Sequence, residues 1–193
     1  MGKLISGNHL NSAHTFIKEN LHLGDIAIDA TVGNGHDTLF LAQQVGALGL
    51  VFGFDIQPAA IEATQLKFRL AGMDNLTLIE ASHATMSDQI PHPYHGKINA
   101  IMFNLGYLPG GNKTIITRSD STLVALTSAC QLLSDNGIIT IMAYPGHTGG
   151  DLETDSVSTW CEHLDKQHFT SHQVPNPEDK PTAPKLFIIQ KHT

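Results

Sequence analysis

The segment "DATVGNGHDT", residues 29–38, places two aspartates, two threonines and two glycines close together. Gly33 and Gly35 let the backbone approach a ligand closely and adopt positive φ. A helix starting just beyond them would aim the positive end of its dipole at that ligand. Asp37 and Thr38 are suited to cap that helix. Thr31 and Asn34 add hydrogen-bonding groups, and Asp29 is placed to meet a cationic group. The same residues also suit a plain, tight strand-to-helix turn.

Three further stretches could extend such a site. In "FGFDIQ", Asp55 follows Asp29 by some two dozen residues, near the ~20-residue spacing of a ribose-binding acid. A carboxylate there can accept both ribose hydroxyls, Ile56 can flank an adenine face, and Gln57 can hydrogen-bond nearby. Asp55 could equally cap a helix that begins at Pro58. In "EASHAT", Ser82 and His83 fall where an adenine edge would lie, and His83 could also simply begin a helix. The apolar run "INAIMFNLGYLP" ends in Asn104, Gly106, Tyr107 and Pro109. Residues of these types at a strand exit either turn the chain or touch a ligand. His147 in the glycine-rich "YPGHTGG" is a candidate proton acceptor.

These residues need elements to position them. The spacing of Leu10, Ala13, Phe16 and Ile17 predicts a helix from Asn8 to Asn20. After it, short apolar runs alternate with amphipathic segments: "IAI", "GLVFGFDI", "NLTLIEA", "INAIMFN" and "IITIMAY" read as strands, with helices between most of them. The helix "HDTLFLAQQVGAL" is expected to turn Leu39, Phe40 and Leu41 to the core. "SDSTLVALTSACQLLSDNG" reads as a helix with a Ser/Asp start and a Gly stop. "FTSHQV" and "KLFIIQ" read as two terminal strands, a hairpin-like appendage ending the sheet. Strands alternating with helices imply one α/β domain over residues 1–193, with a mostly parallel seven-stranded sheet covered on both faces. In such sheets ligands bind beyond the carboxyl ends of the strands, where all four motifs fall.

The bulk numbers bound the partners. The 193 residues carry a net charge of −7, with 15% charged and 41% hydrophobic residues. An acidic balance disfavours an extended nucleic-acid surface, because phosphate contacts need Lys and Arg. Cys130 and Cys161 form no metal or disulfide pattern. The start lacks an apolar leader-type segment and no run is long enough to cross a bilayer, so a cytoplasmic protein is expected.

The glycine loop does not fit the dinucleotide fingerprint G-x-G-x-x-G. It fits D-x-G-x-G-x-G, the S-adenosylmethionine loop of Rossmann-like methyltransferases, with Thr31 replacing the first glycine. "DATVGNGHDTLFLA", "FDIQ", "SHA", "FNLGYLPGG" and "YPGHTGGDLE" occur in an order that resembles the YtqB-like family, labelled rRNA methylases. The resemblance runs from about His14 to Ile189. It implies the class I methyltransferase fold, S-adenosylmethionine as cofactor, and activity of the MnmM type on transfer RNA. Such enzymes convert 5-aminomethyl on the wobble uridine, often 2-thiouridine, to 5-methylaminomethyl. One departure is "NPEDKPTAPKLFIIQ", where the family usually has two prolines followed by an apolar residue.

Within that resemblance, "NLGY" occupies the place of the Asn-Pro-Pro-Tyr-type motif of amino-methyltransferases. The Asn104 oxygen would align the attacking amine, Gly106 would permit close approach, and Tyr107 would stack on the uracil. Lys113 and Arg118 flank this loop and are expected to meet phosphates of the anticodon arm. A homodimer could supply a composite RNA surface. Ribosomal RNA is the alternative substrate. An NAD-dependent oxidoreductase, a non-catalytic nucleotide-binding module and a metal hydrolase on His92 and His95 are the alternatives of other classes. The first lacks its fingerprint, the second does not need "NLGYLP", and the third lacks H-E-x-x-H, so no metal site is expected.

Overall fold

The structure, a computed structural model, describes residues 9–106, 116–146, 149–176 and 180–193. Helix α1 (His9–Asn20) precedes β1 (Ile26–Asp29), α2 (His36–Val45), β2 (Leu50–Asp55), α3 (Pro58–Ala71) and β3 (Leu76–Glu80). A short 3-10 turn and α4 (Met86–Gln89) lead through a second 3-10 turn to β4 (Ile98–Asn104). Then come α5 (Ser119–Leu132), β5 (Leu133–Ala143), α6 (Gly150–Glu162), β6 (Phe169–Val174) and β7 (Lys185–Lys191).

The seven strands form one sheet in the order β3-β2-β1-β4-β5-β7-β6. β1 to β5 run parallel, and β7 is antiparallel to both β5 and β6. The expected mostly parallel, seven-stranded architecture is therefore present. Alternate residues of each central strand feed two separate cores. Ile28, Phe54, Ile101, Phe103, Ile139 and Ile141 pack toward α5 and α6. Ala27, Val51, Ala100, Met102, Ile138 and Met142 pack on the other face, against Ile17 of α1 and Leu41 and Val45 of α2.

The terminal strands pair antiparallel and end the sheet, as expected, with β7 next to β5 and β6 at the edge. Leu186, Phe187, Ile188 and Ile189 of β7 are all buried. In α2, Leu41 is buried in the core and Leu39 and Phe40 are half-buried against it, also as expected. One expectation needs correction. α5 stops at Leu132, short of Gly137. The chain enters β5 directly, and the parallel register with β4 breaks between Leu133 and Ile138, around Asn136 at φ 60°.

In the middle of β5, Thr140 is 1% exposed and its hydroxyl has no hydrogen-bond partner among the described residues. A buried polar group without a partner costs about 1–3 kcal/mol. Thr140→Val should therefore raise stability, by on the order of 1 kcal/mol in urea unfolding. A lower midpoint in the variant would show that the hydroxyl is satisfied.

Candidate active site

The carboxyl ends of β1, β2, β4 and β5 open into one cavity of about 510 Å³. It sits beside the point where the strand order reverses, between β1 and β4, as parallel α/β sheets dictate. Its wall is built from the loops that follow these strands and β3.

The first loop is organised by Asp29, which is fully buried at the end of β1. Its Oδ2 accepts a 2.6 Å hydrogen bond from the Thr38 hydroxyl and its Oδ1 accepts one of 3.0 Å from the Thr31 N–H. Burial pushes its carboxyl up to about 7; the neighbouring Asp37 adds to this and the two hydrogen bonds oppose it. Gly35 sits at φ 69°, and a Cβ there would lie 2.4 Å from the Thr64 hydroxyl of α3. The tight turn thus needs glycine twice over, for conformation and for space.

Gly35, not Asp37 or Thr38, occupies the cap position of α2, and no side chain caps this helix. The two residues expected as caps have other partners. Thr38 reaches back to Asp29. Asp37 places Oδ1 2.7 Å from Nε2 of His14 and accepts a 3.3 Å bond on Oδ2 from the Asn104 side-chain amide. Its carboxylate lines the cavity, whereas Asp29, Gly35 and Thr38 stand behind the lining.

Asp55 ties the second loop to the first. Its Oδ2 accepts from the Gly33 N–H at 2.8 Å and its Oδ1 from the Gln57 N–H at 2.9 Å. It does not cap α3, whose cap is Gln57 with Pro58 next in line. Ile56 is 53% exposed at the cavity wall, an apolar surface available to a flat ligand. In the third loop Ser82 accepts from the Ala84 N–H and opens the 3-10 turn. His83 begins that turn, and it also lines the cavity. Its Nδ1 lies 3.2 Å from the Ala30 carbonyl, and burial pushes its pKa down, keeping it neutral. Thr31, Gly33, Asn34, Gln57 and Ser82 also line the wall.

The apolar run of β4 ends at Asn104. Its N–H donates to the Thr31 hydroxyl at 2.7 Å, and the Tyr144 hydroxyl hydrogen-bonds its side chain. Burial, and next to it Asp37, push the Tyr144 phenol up. Gly106 and Thr117 then clasp each other. The Gly106 N–H donates to the Thr117 hydroxyl and its carbonyl accepts from the Thr117 N–H, both at 2.9 Å. The buried Glu153 of α6 anchors this clasp by accepting 2.7 Å bonds from Thr117 and Thr122. Gly106 and Thr117 are thus joined at one fixed point on the cavity wall.

Tyr107, Lys113 and His147 lie outside the described residues. Arg118 is exposed at the start of α5, next to the clasp and away from the cavity lining. His92 and His95 stack on one another, also away from the cavity. Among the described residues, no three His, Cys, Asp or Glu side chains are grouped to hold a metal ion. Sequence reasoning missed His14, Thr117, Tyr144 and Glu153. Tyr144 had a signal, since it ends an apolar strand as Asn104 does. The other three act through contacts distant in sequence.

The strand order, the single antiparallel strand β7 and the cavity at the ends of β1, β2 and β4 define a class I methyltransferase. The chain belongs to the family described as "Putative rRNA methylase", whose profile matches residues 51–190. It is 40% identical over 190 residues to the "tRNA (mnm(5)s(2)U34)-methyltransferase, chloroplastic" of Arabidopsis thaliana, spanning 93% of this chain and 68% of that one. The crystal structure of a "putative rRNA-methylase" from Clostridium thermocellum superposes with a TM-score of 0.91 at 40% identity, over 97% of this chain and all of the other. A "putative methyltransferase" from Streptococcus mutans, solved in complex with SAH, gives 0.85 at 35% identity over 97% and 99%.

The Asp29 carboxyl makes stability depend on pH. The folded chain keeps a proton there up to about 7, whereas the unfolded chain releases it near 3.8. Stability is therefore lost as pH rises between those values and stays reduced above them. Asp29→Asn should be more stable than the parent near pH ~8 and lose much of that advantage by pH ~5. Unfolding midpoints at the two pH values check this; an advantage that does not change with pH would refute it.

Proposed function

We propose that this chain is a transfer-RNA methyltransferase that uses S-adenosylmethionine. Its substrate is the 5-aminomethyl group of the wobble (2-thio)uridine, and its product the 5-methylaminomethyl group. The observation that carries this reading is Asn104, held at the cavity wall by Asp37 on one side and Tyr144 on the other. An amide oxygen fixed at a strand exit, in a cavity with an acidic wall, suits a primary amine as the methyl acceptor. The likeness to the Arabidopsis transfer-RNA enzyme supports the choice of substrate.

The residues present fit the cofactor. Asp55 spends one acceptor site per oxygen on backbone N–H groups and keeps capacity for the two hydroxyls of a ribose. Ile56, Ser82 and neutral His83 would flank the adenine, with Gln57 beside it. Thr31, Gly33, Asn34 and Gly35 would shape the backbone against the amino-acid end. Asp29 and Thr38 would hold that loop from behind. When bound, S-adenosylmethionine supplies an electrophilic methyl group on a sulfonium. The chain's own part is to align the amine and exclude water.

On the RNA side, Tyr107 would stack on the uracil, and Lys113 and Arg118 would meet phosphates of the anticodon arm. His147 would take the amine proton. A homodimer would join two such surfaces, and a single domain in the cytoplasm accounts for the whole chain. Among the described residues no helix is long and apolar enough to cross a membrane.

Two variants separate binding from chemistry. Asp55→Ala should weaken S-adenosylhomocysteine binding at least tenfold by calorimetry, an effect of about 1.4 kcal/mol or more. Asn104→Ala should leave that affinity intact and lower kcat on RNA bearing 5-aminomethyluridine. Loss of one positioning hydrogen bond to a reacting group costs ~2.7–4 kcal/mol, on the order of a hundred- to a thousandfold in rate. A near-normal kcat in Asn104→Ala would make "NLGYLP" a turn and remove the basis for this reading.

A further inference from the structure

We infer that His14, from the helix that precedes the first strand, is a positioning residue for methyl transfer that acts through Asp37 on the amide of Asn104. The inference rests on the function proposed above.

The His14 ring is held on two sides. It lies flat on Phe40, with centroids 3.8 Å apart and planes inclined by 6°, and its Nε2 is 2.7 Å from Asp37 Oδ1. Phe40 and Asp37 are three residues apart on α2, so one helix face supplies both the platform and the acceptor. Ala13 and Ile17, buried in the core beneath α1, fix the position of the helix. The arrangement spans α1 and α2 and ends on a cavity-lining carboxylate, which a surface ion pair would not.

Its consequence falls on Asn104. A carboxylate only accepts hydrogen bonds, so Asn104 must turn its NH₂ group toward Asp37 Oδ2. Its oxygen then keeps acceptor capacity for a donor in the cavity beside the Tyr144 hydroxyl. Reversing the amide would set two acceptors against each other. The constraint rests on Asp37 accepting through Oδ2, and the His14 ring at Oδ1 fixes the carboxylate that does so.

Among the described residues, the titratable groups facing Asp37 are His14 from α1, Asp29 at the end of β1 and Tyr144 after β5. Of these, His14 is the hydrogen-bond partner of Asp37 Oδ1, and its side chain is 24% exposed.

The test measures methyl transfer to RNA bearing 5-aminomethyluridine, with kcat resolved from KM. It compares the parent with His14→Ala, His14→Gln and His14→Phe. Loss of the donor in His14→Ala should lower kcat by about tenfold or more with KM little changed. S-adenosylhomocysteine affinity should change by less than about twofold, because the cofactor wall is untouched. His14→Gln, a neutral donor, should recover much of kcat. His14→Phe keeps the stack on Phe40 without a donor and should behave like His14→Ala even if the alanine variant folds poorly. An unchanged kcat in His14→Phe, or equal impairment in His14→Gln and His14→Phe, would overturn the inference and leave His14 a packing residue. A parent protein inactive on this RNA would overturn the functional reading and the inference together, whereas an active parent with indifferent His14 variants would remove only the inference.

Discussion

A single carboxyl group, buried where the first strand ends, sets the geometry around it. Asp29 cannot reach water, so the chain brings donors to it: the Thr31 N–H from the loop and the Thr38 hydroxyl from α2. Those two bonds fix how α2 leaves the sheet. With α2 fixed, Gly35 must pass against Thr64, Gly33 presents its N–H to Asp55, and Asp37 faces the cavity. Both Asp55 and Asp37, on two sides of the cavity, are thus referred to one residue that stands behind its lining. Its cost in stability at neutral pH is the price of that order.

The second organising unit is on the other side of the cavity. Glu153 spends both oxygens on threonine hydroxyls, and one of these threonines closes on Gly106. This unit fixes Gly106 and Thr117 against α6. The Asn104 amide, proposed to align the acceptor, belongs to β4 and is placed by the sheet itself.

Much of the fold was legible in sequence because each strand carries its own signal, a short apolar run ended by polar or glycine residues. The candidate site residues could be singled out because Asp55, Asn104 and the glycine loop all sit at strand exits, and the structure gathers them around one cavity. What failed were inferences from local rules. Asp37 and Thr38 have the right identities for helix caps, yet each is claimed by a stronger partner elsewhere: Asp37 by His14 and Asn104, Thr38 by Asp29. Glu153 lies in the first turn of α6, and its partners lie some thirty residues earlier. The terminal strands were legible as an antiparallel pair ending the sheet, but which of the two joins β5 depends on β7 being the more buried strand.

The insertion of β7 between β5 and β6 bears on how the protein is made. β7 follows every other strand in chain order, yet it fills the interior of the sheet. Until it arrives, the Ile138–Ala143 edge of β5 has an unpaired row of backbone groups, and β6 has no neighbour at all. An open, apolar edge is a template for pairing with another chain. During synthesis this half of the sheet therefore waits, exposed, for the last strand to emerge, and self-association of nascent chains competes with closure at that step.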